Sequence, residues 1–262
     1  MRNGSLFWGF LLIAVGGLFA LQAMNIIENV TNFLWPLFLI ALGAWILWGA
    51  FARPSLEPGS AGSFSIDLQG ASRVAFDLDH GAGQVLVAGG APAGIAVSGV
   101  QATGINVASE LEQESLHVKV EAGPSFLPFL GPDGGAWQFQ LTNEVPLSLD
   151  VDAGAASLRF DLSQVKLSSF KLDTGASSVS LILPAEGQPL VEIESGAASV
   201  DITVPQSMAA RIRSEAGASS LSVEPRLEYR GDGLYQSANF ETAVNRVEIR
   251  LEGGANSVSI HS

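Results

Sequence analysis

Apolar and polar residues alternate along the second half of this chain, and small residues interrupt the alternation at a regular interval. Leu149 and Val151 precede Gly154, and Leu158 and Phe160 follow it. Phe170, Leu172, Val179 and Leu181 flank Gly175 in the same way, as do Val191, Ile193, Val200 and Ile202 around Gly196. Leu221 and Val223 follow Gly217, and Val247, Ile249, Leu251, Val258 and Ile260 bracket Gly254. A period of two puts these side chains on one face of a strand and their polar neighbours on the other. Each unit therefore predicts a strand, a tight corner at the glycine, a second strand and a looser return. The returns hold Pro184 and Gly187, or Pro205.

The corners share one phrase: Gly154-Ala-Ala-Ser157, Gly175-Ala-Ser-Ser178, Gly196-Ala-Ala-Ser199, Gly217-Ala-Ser-Ser220 and Gly254-Ala-Asn-Ser257. The first four glycines are 21 residues apart, and the fifth follows after 37, across Pro225 to Asn245. A weaker copy stands at Asp79-His-Gly-Ala-Gly-Gln-Val85. A unit of this length cannot enclose a core alone, but stacked units share one. The predicted fold is all-β: a parallel single-stranded β-solenoid over 63–262, most regular from 149, with each turn lying on the one before it. The glycines are expected to supply the bend, and the long excursion to cap the stack. A β-sandwich of antiparallel hairpins would also alternate, but the fixed beat favours the solenoid.

The first fifty residues follow a different pattern. Leu6 to Met24 and Phe33 to Phe51 are uniformly apolar, each about 28 Å long as a helix and so able to cross a hydrocarbon core. Asn25 to Asn32 is a short polar connection, so residues 1–53 predict a two-helix transmembrane hairpin. Pro36 falls in the first turn of the second helix. Trp8, Trp35, Trp45 and Trp48 lie toward the helix ends, and Gly16 and Ala20 offer a close-contact face. A cleaved signal peptide is the alternative for the first segment, but it lacks a clean small-x-small site and a second span follows directly. Arg2 and Arg53 flank the hairpin while the connection carries only Glu28, which places both ends in the cytoplasm. Residues 54–62, rich in Pro, Gly and Ser, form a linker.

The hairpin, with Gly16-Gly17, Trp35-Pro-Leu37 and Gly43, resembles the LiaI–LiaF-like transmembrane region of bacterial envelope-stress proteins. Tyr235-Gln-Ser-Ala-Asn239, Asn245-Arg-Val-Glu-Ile249 and Gly254-Ala-Asn-Ser-Val-Ser-Ile260 resemble the end of the toast-rack β-domain of LiaF-type proteins. The resemblance implies a membrane-bound, non-enzymatic modulator of cell-envelope stress signalling, with a sensor histidine kinase as a partner.

Charge narrows the partners. With 26 acidic and 13 basic residues the net charge is −13, and no basic stripe exists to engage nucleic acid. The absence of cysteine excludes disulfides and thiol chemistry. An acidic residue stands two positions before the glycine in each unit: Asp79, Asp152, Asp173, Glu194, Glu215 and Glu252. Stacking would align them as an outward ladder, in which neighbours about 4.8 Å apart repel by roughly 1 kcal/mol in water. Calcium could bridge Asp152, Asp173, Glu194 and Glu215. The simpler expectation is a solvated face relieved by Lys171, Arg213 and Arg250, with no metal and no cofactor.

Recurring Ser157, Ser178, Ser199, Ser220 and Ser257 have no histidine arranged with them to act as a base, so they are expected to bond local backbone at the corners. The segment Gly123 to Trp137 breaks the pattern and predicts a long loop. Its Phe126, Phe129 and Trp137 would either pack as a lid on the stack or form an apolar docking loop. The sequence thus predicts a regulatory adaptor, anchored in the bilayer, that presents a rigid acidic face to a membrane signalling partner or to further copies of itself. The competing function is an envelope scaffold that self-assembles by stacking. A solenoid enzyme would need clustered acids and aromatics in a groove, and no such cluster is present in the sequence.

Overall fold

The computed structural model describes residues 62–101, 105–122, 136–216, 220–254 and 256–262, and all regular structure within them is β-strand. The hairpin positions Gly16, Ala20, Trp35, Pro36 and Gly43, together with Phe126 and Phe129, lie outside the described residues.

Two long strands, β2 (Arg73–Gly89) and β7 (Leu147–Asp161), run continuously through a corner. They pair in parallel over both arms, from Val74↔Leu147 to Ala88↔Asp161. Elsewhere the two arms are separate strands. These are β5 (Ser115–Ala122) and β6 (Ala136–Leu141), β8 (Leu167–Thr174) and β9 (Ser178–Ile182), and β10 (Leu190–Ser195) and β11 (Ser199–Thr203). Two further pairs are β12 (Ala209–Ala216) with β13 (Ser220–Val223), and β16 (Arg246–Gly253) with β17 (Ser257–His261). The first arms stack as column one and the second arms as column two. Antiparallel strands finish the ends: β1 (Gly62–Asp67), β3 (Ile95–Gln101), β4 (Ile105–Glu112), β14 (Leu227–Gly231) and β15 (Leu234–Ser237).

The alternation is realised as expected. In β7 the buried residues are Leu147, Leu149, Val151, Ala153, Ala156, Leu158 and Phe160, and the phase of the alternation changes across Gly154 and Ala155. Phe76, Phe139, Phe160 and Phe170 are the largest fully buried side chains, with Phe160 and Phe170 in edge-to-face contact at 5.0 Å between the two columns. Leu162, Val165, Leu183, Val204 and Met208, from the return loops, are buried in the same core.

The order of units departs from the expectation. β10 pairs with β8 and β16, and β16 in turn pairs with β12, so the unit at 246–261 sits between those at 190–203 and 209–223. Column two agrees, with β17 between β11 and β13. The return loops agree as well: Leu183 donates its N–H to Thr203, but Val204 donates to His261. At the other end the β5–β6 unit lies outside β2, which precedes it in sequence. The stacking order is therefore 115–141, 73–89, 147–161, 167–182, 190–203, 246–261 and 209–223. Turn-on-turn order holds only for the middle of the chain. The excursion after Pro225 supplies the β14–β15 hairpin, which pairs antiparallel with β12 and covers that end of column one.

The glycines line up as Gly81, Gly154, Gly175, Gly196 and Gly254, while Gly217 lies outside the described residues. Their role is close approach more than bending. Gly154, Gly175, Gly196 and Gly254 do not adopt left-handed backbone angles. A Cβ on Gly154, Gly175, Gly196 or Gly254 would fall 2.5, 2.7, 3.0 or 2.8 Å from the carbonyl oxygen of the glycine in the adjacent unit. That oxygen is held in place: Gly154 accepts from Gly175 and Ala176, and Gly175 accepts from Ala197. No side chain fits between backbones this near.

Candidate functional site

Parallel pairing turns the acidic positions into a continuous row on the outer face of column one. In stacking order it runs Glu121, Asp79, Asp152, Asp173, Glu194, Glu252 and Glu215, each directly registered with the next. Asp79, Asp152, Asp173, Glu194, Glu215 and Glu252 are exposed. Glu121 is the member that sequence reasoning misses, because its unit carries no Gly-Ala-Ser corner. The signal that finds it is Val118 and Val120 alternating with Lys119 and Glu121.

Two residues upstream a second row runs Lys119, Asp77, Asp150, Lys171, Glu192, Arg250 and Arg213. Among the described residues it forms direct ion pairs with the first row only at the ends. Lys119 pairs with Glu121, and Arg213 lies 3.9 Å from Glu215. Arg250 turns away from the row to Glu192 at 2.9 Å and Glu248 at 3.0 Å. Among the described residues Asp79, Asp152, Asp173, Glu194 and Glu252 have no ion-pair partner. Partial burial, followed by Asp173, Asp79 and Asp150, holds the Asp152 carboxyl above its ordinary range against the pull of Lys171. Asp77 is raised by burial and then by Asp150, with His117 and Lys119 opposing. The row is linear, one carboxylate per strand, and among the described residues no three or more His, Asp or Glu converge as a metal site. Of the four positions considered for calcium, Asp152, Asp173 and Glu194 are consecutive in the row, while Glu252 stands between Glu194 and Glu215.

The outer face of column two has a different chemistry. Ser220, Ser257, Ser199, Ser178 and Ser157 form an exposed row in consecutive register. Among the described residues none of them bonds the corner backbone as the sequence suggests. Residues one position earlier do so from inside: Ala156 donates its N–H to Ser177 Oγ at 3.1 Å, and Ala198 donates to Asn256 Oδ1 at 3.0 Å. Ser177 Oγ also shares a hydrogen bond with Thr174 Oγ1 at 2.5 Å. The corner column thus reads Ala156, Ser177, Ala198, Asn256, each polar member satisfying the alanine beside it. An open groove of about 750 Å³ lies near the β1 end of column two, lined by Ser65, Leu86, Val100, Gln138 and Arg159 among others.

Trp137 is not in a loop. It is the second residue of β6, 3% exposed, and packs edge-to-face on His80 at 4.4 Å. His80 is itself buried, and neither of its ring nitrogens finds a hydrogen-bond partner among the described residues. Burial pushes its pKa down, opposed by Asp79. A histidine held neutral by the fold binds less proton than in the unfolded chain, whose imidazole titrates near 6.5. Stability should therefore fall as pH drops below about 6.5. Asp77 and Asp152, raised in the fold, act in the opposite sense and at lower pH, as the solution approaches the ordinary carboxylate range. Thermal melts between pH 7.5 and 5.5 should show a falling midpoint, and His80→Leu should flatten that slope. An unchanged slope in the variant would assign the acid sensitivity elsewhere.

Among the described residues no helix is long and apolar enough to cross a membrane. The sequence outside them does match a family: residues 6–47 fit the LiaI-LiaF-like transmembrane region. Residues 56–203 fit the N-terminal domain of toast_rack, DUF2154. No curated protein matches the chain. A solved structure from Clostridium sporogenes, described as a candidate cell adhesion protein, is similar in fold. Its TM-score is 0.69 at 17% identity, over 76% of this chain and 97% of that one. A Bacteroides fragilis structure described as a candidate adhesin covers 76% of this chain and 96% of its own at 8% identity, with a TM-score of 0.30. At that score it carries no weight for the fold. With more than half of its length matched and an all-β domain of stacked corner units behind the match, the chain belongs to the toast-rack family and carries a LiaI-LiaF-like transmembrane region.

Proposed function

We infer that this protein is a non-enzymatic regulator of the bacterial cell-envelope stress response. A two-span hairpin holds it in the cytoplasmic membrane, and the β-solenoid lies on the cytoplasmic side. There it presents its acidic face to a membrane signalling partner such as a sensor kinase. The observation that carries this reading is the row of seven registered carboxylates on a parallel stack. Their strands are fixed by hydrogen bonding on both sides, so the charges are displayed in a set geometry, and five of the seven have no ion-pair partner among the described residues. Such a row attracts a basic surface at long range and fixes its register at short range. Strand caps at both ends of column one disfavour the competing scaffold, which would need open ends to grow.

Neutralising the middle of the row in the full-length protein tests the reading. Asp152→Asn, Asp173→Asn and Glu194→Gln together remove repulsion, so the melting temperature should hold or rise. The membrane proteins that co-purify with the native chain should be lost, and stress-reporter output should match that of a deletion strain. Native output and native co-purification from a folded triple variant would overturn the role of this face. A reporter fused after Ser262 checks sidedness.

A further inference from the structure

We propose that two copies of this chain join edge to edge through β13, forming a two-fold dimer in which the second columns of both copies become one sheet. The inference goes beyond the acidic face of column one and stands whether or not a kinase is its partner.

Among the described residues β13 is paired on one side only, to β17. Ser220 donates its N–H to Asn256 and Glu224 donates to Ile260. Alternation along the strand then directs the N–H and C=O of Leu221 and Val223 away from the stack. Their side chains are left half exposed, whereas the registered Val258 and Ile260 in the adjacent unit are only 6% and 2% exposed. An open strand edge with apolar side chains is a template for another strand.

Two of the other edges carry the usual protections: β4 bears Glu110 and Glu112, and β14 bears Glu228 and Arg230 and shifts register after Tyr229. At the opposite end of the stack β1 is regular over Gly62–Ile66 and is charged only at Asp67, where its register shifts. The strand Ser220-Leu-Ser-Val223 has no charge, proline or register shift.

A second copy fits this edge better than an unrelated chain for three reasons. The strand is self-complementary: antiparallel pairing centred on Ser222 sets Leu221 against the partner's Val223 and Val223 against the partner's Leu221. All four outward peptide pairs are then satisfied, giving four hydrogen bonds, and the apolar side chains continue one core into the next. Charge permits the approach, since the acidic row lies on column one while the outer face beside β13 carries serine hydroxyls. The transmembrane region places both copies in one bilayer, where a short edge contact is helped by high effective concentration.

The chain has no cysteine, so disulfide trapping reads the register directly. On the two-fold axis Ser222 faces its own equivalent in a non-hydrogen-bonded pair, with Cα atoms about 4.5 Å apart, within disulfide reach. The two copies of Ser220 would be about 14 Å apart. Full-length Ser222→Cys, oxidised in membranes, should give a covalent dimer, and Ser220→Cys should give at least tenfold less. Adding Val223→Pro to Ser222→Cys removes one outward donor and should cut the dimer by a similar factor while the melting temperature is kept. The proposal is overturned if folded Ser222→Cys stays monomeric, if both cysteine variants cross-link equally, or if the trapped species contains a different protein. None of these outcomes bears on the acidic face, whose test reads co-purification and reporter output.

Discussion

Deleting residues 246–262 should unfold far more of the protein than the segment removed. Those residues supply β16 and β17, which pair with strands on both sides. Val247, Ile249, Leu251, Val258 and Ile260 are at most 6% exposed. At about 1.5–3 kcal/mol for each buried side chain, their loss is on the order of 10 kcal/mol, comparable with the whole stability of a domain. The deletion also leaves β12 and β13 without their parallel neighbours. Limited proteolysis of the full-length and shortened proteins in detergent should therefore show cleavage throughout 204–245 only in the latter, trimming it to a fragment ending near Val204. Stacking in chain order makes the opposite forecast, since the unit at 209–223 would still rest on the unit at 190–203. Protection of 204–245 in the shortened protein would refute the order described above.

Phe160→Ala should be the most damaging single truncation of a side chain. Phe160 projects from column two, and its ring meets Phe170 of column one edge-to-face at 5.0 Å, with both residues fully buried. The substitution removes an aromatic contact between the two columns and leaves a cavity walled by strands hydrogen-bonded on either side, which cannot collapse into it. A cost of about 3–5 kcal/mol is expected. Urea unfolding followed by tryptophan fluorescence measures it, because Trp137 is buried in the same core. A loss below about 1 kcal/mol would mean that the columns are not coupled through these rings. Ser178→Ala, on the outer face of the same column, should stay within about 0.5 kcal/mol of the native protein.

The alternation and the glycine corners disclose the strands, their inward faces and the acidic row, because each depends on a local pattern that every unit repeats. The weak copy at Asp79 to Val85 is a full member of the stack for the same reason. Adjacency is harder to read. The Gly-Ala-Ser units offer similar apolar positions and the same small corner, so the place beside Val191 that Ile249 takes would also accept Ile212. The spacing reports how often a unit recurs and leaves open which unit it touches. The one irregularity available, the stretch from Pro225 to Asn245, points to a cap, and the same detour carries the chain back to an earlier position. Antiparallel β1, β3 and β4 escape notice because they pair with edges and have no corner of their own. Trp137 is hidden by the Gly-Pro-rich run before it, which extends the loop prediction two residues into β6.

The interleaved order bears on how the molecule comes apart. In a linear array the outermost module can peel off, then the next, each at the modest cost of one interface. Here the module at either tip is joined through the chain to one buried beneath it, so loosening the tip pulls on an interior neighbour. Both extremities are thus latched, and local opening should be suppressed where such arrays are usually weakest. Slow exchange of the hydrogen-bonded amides, reaching to the two ends of the stack, is the behaviour this arrangement entails.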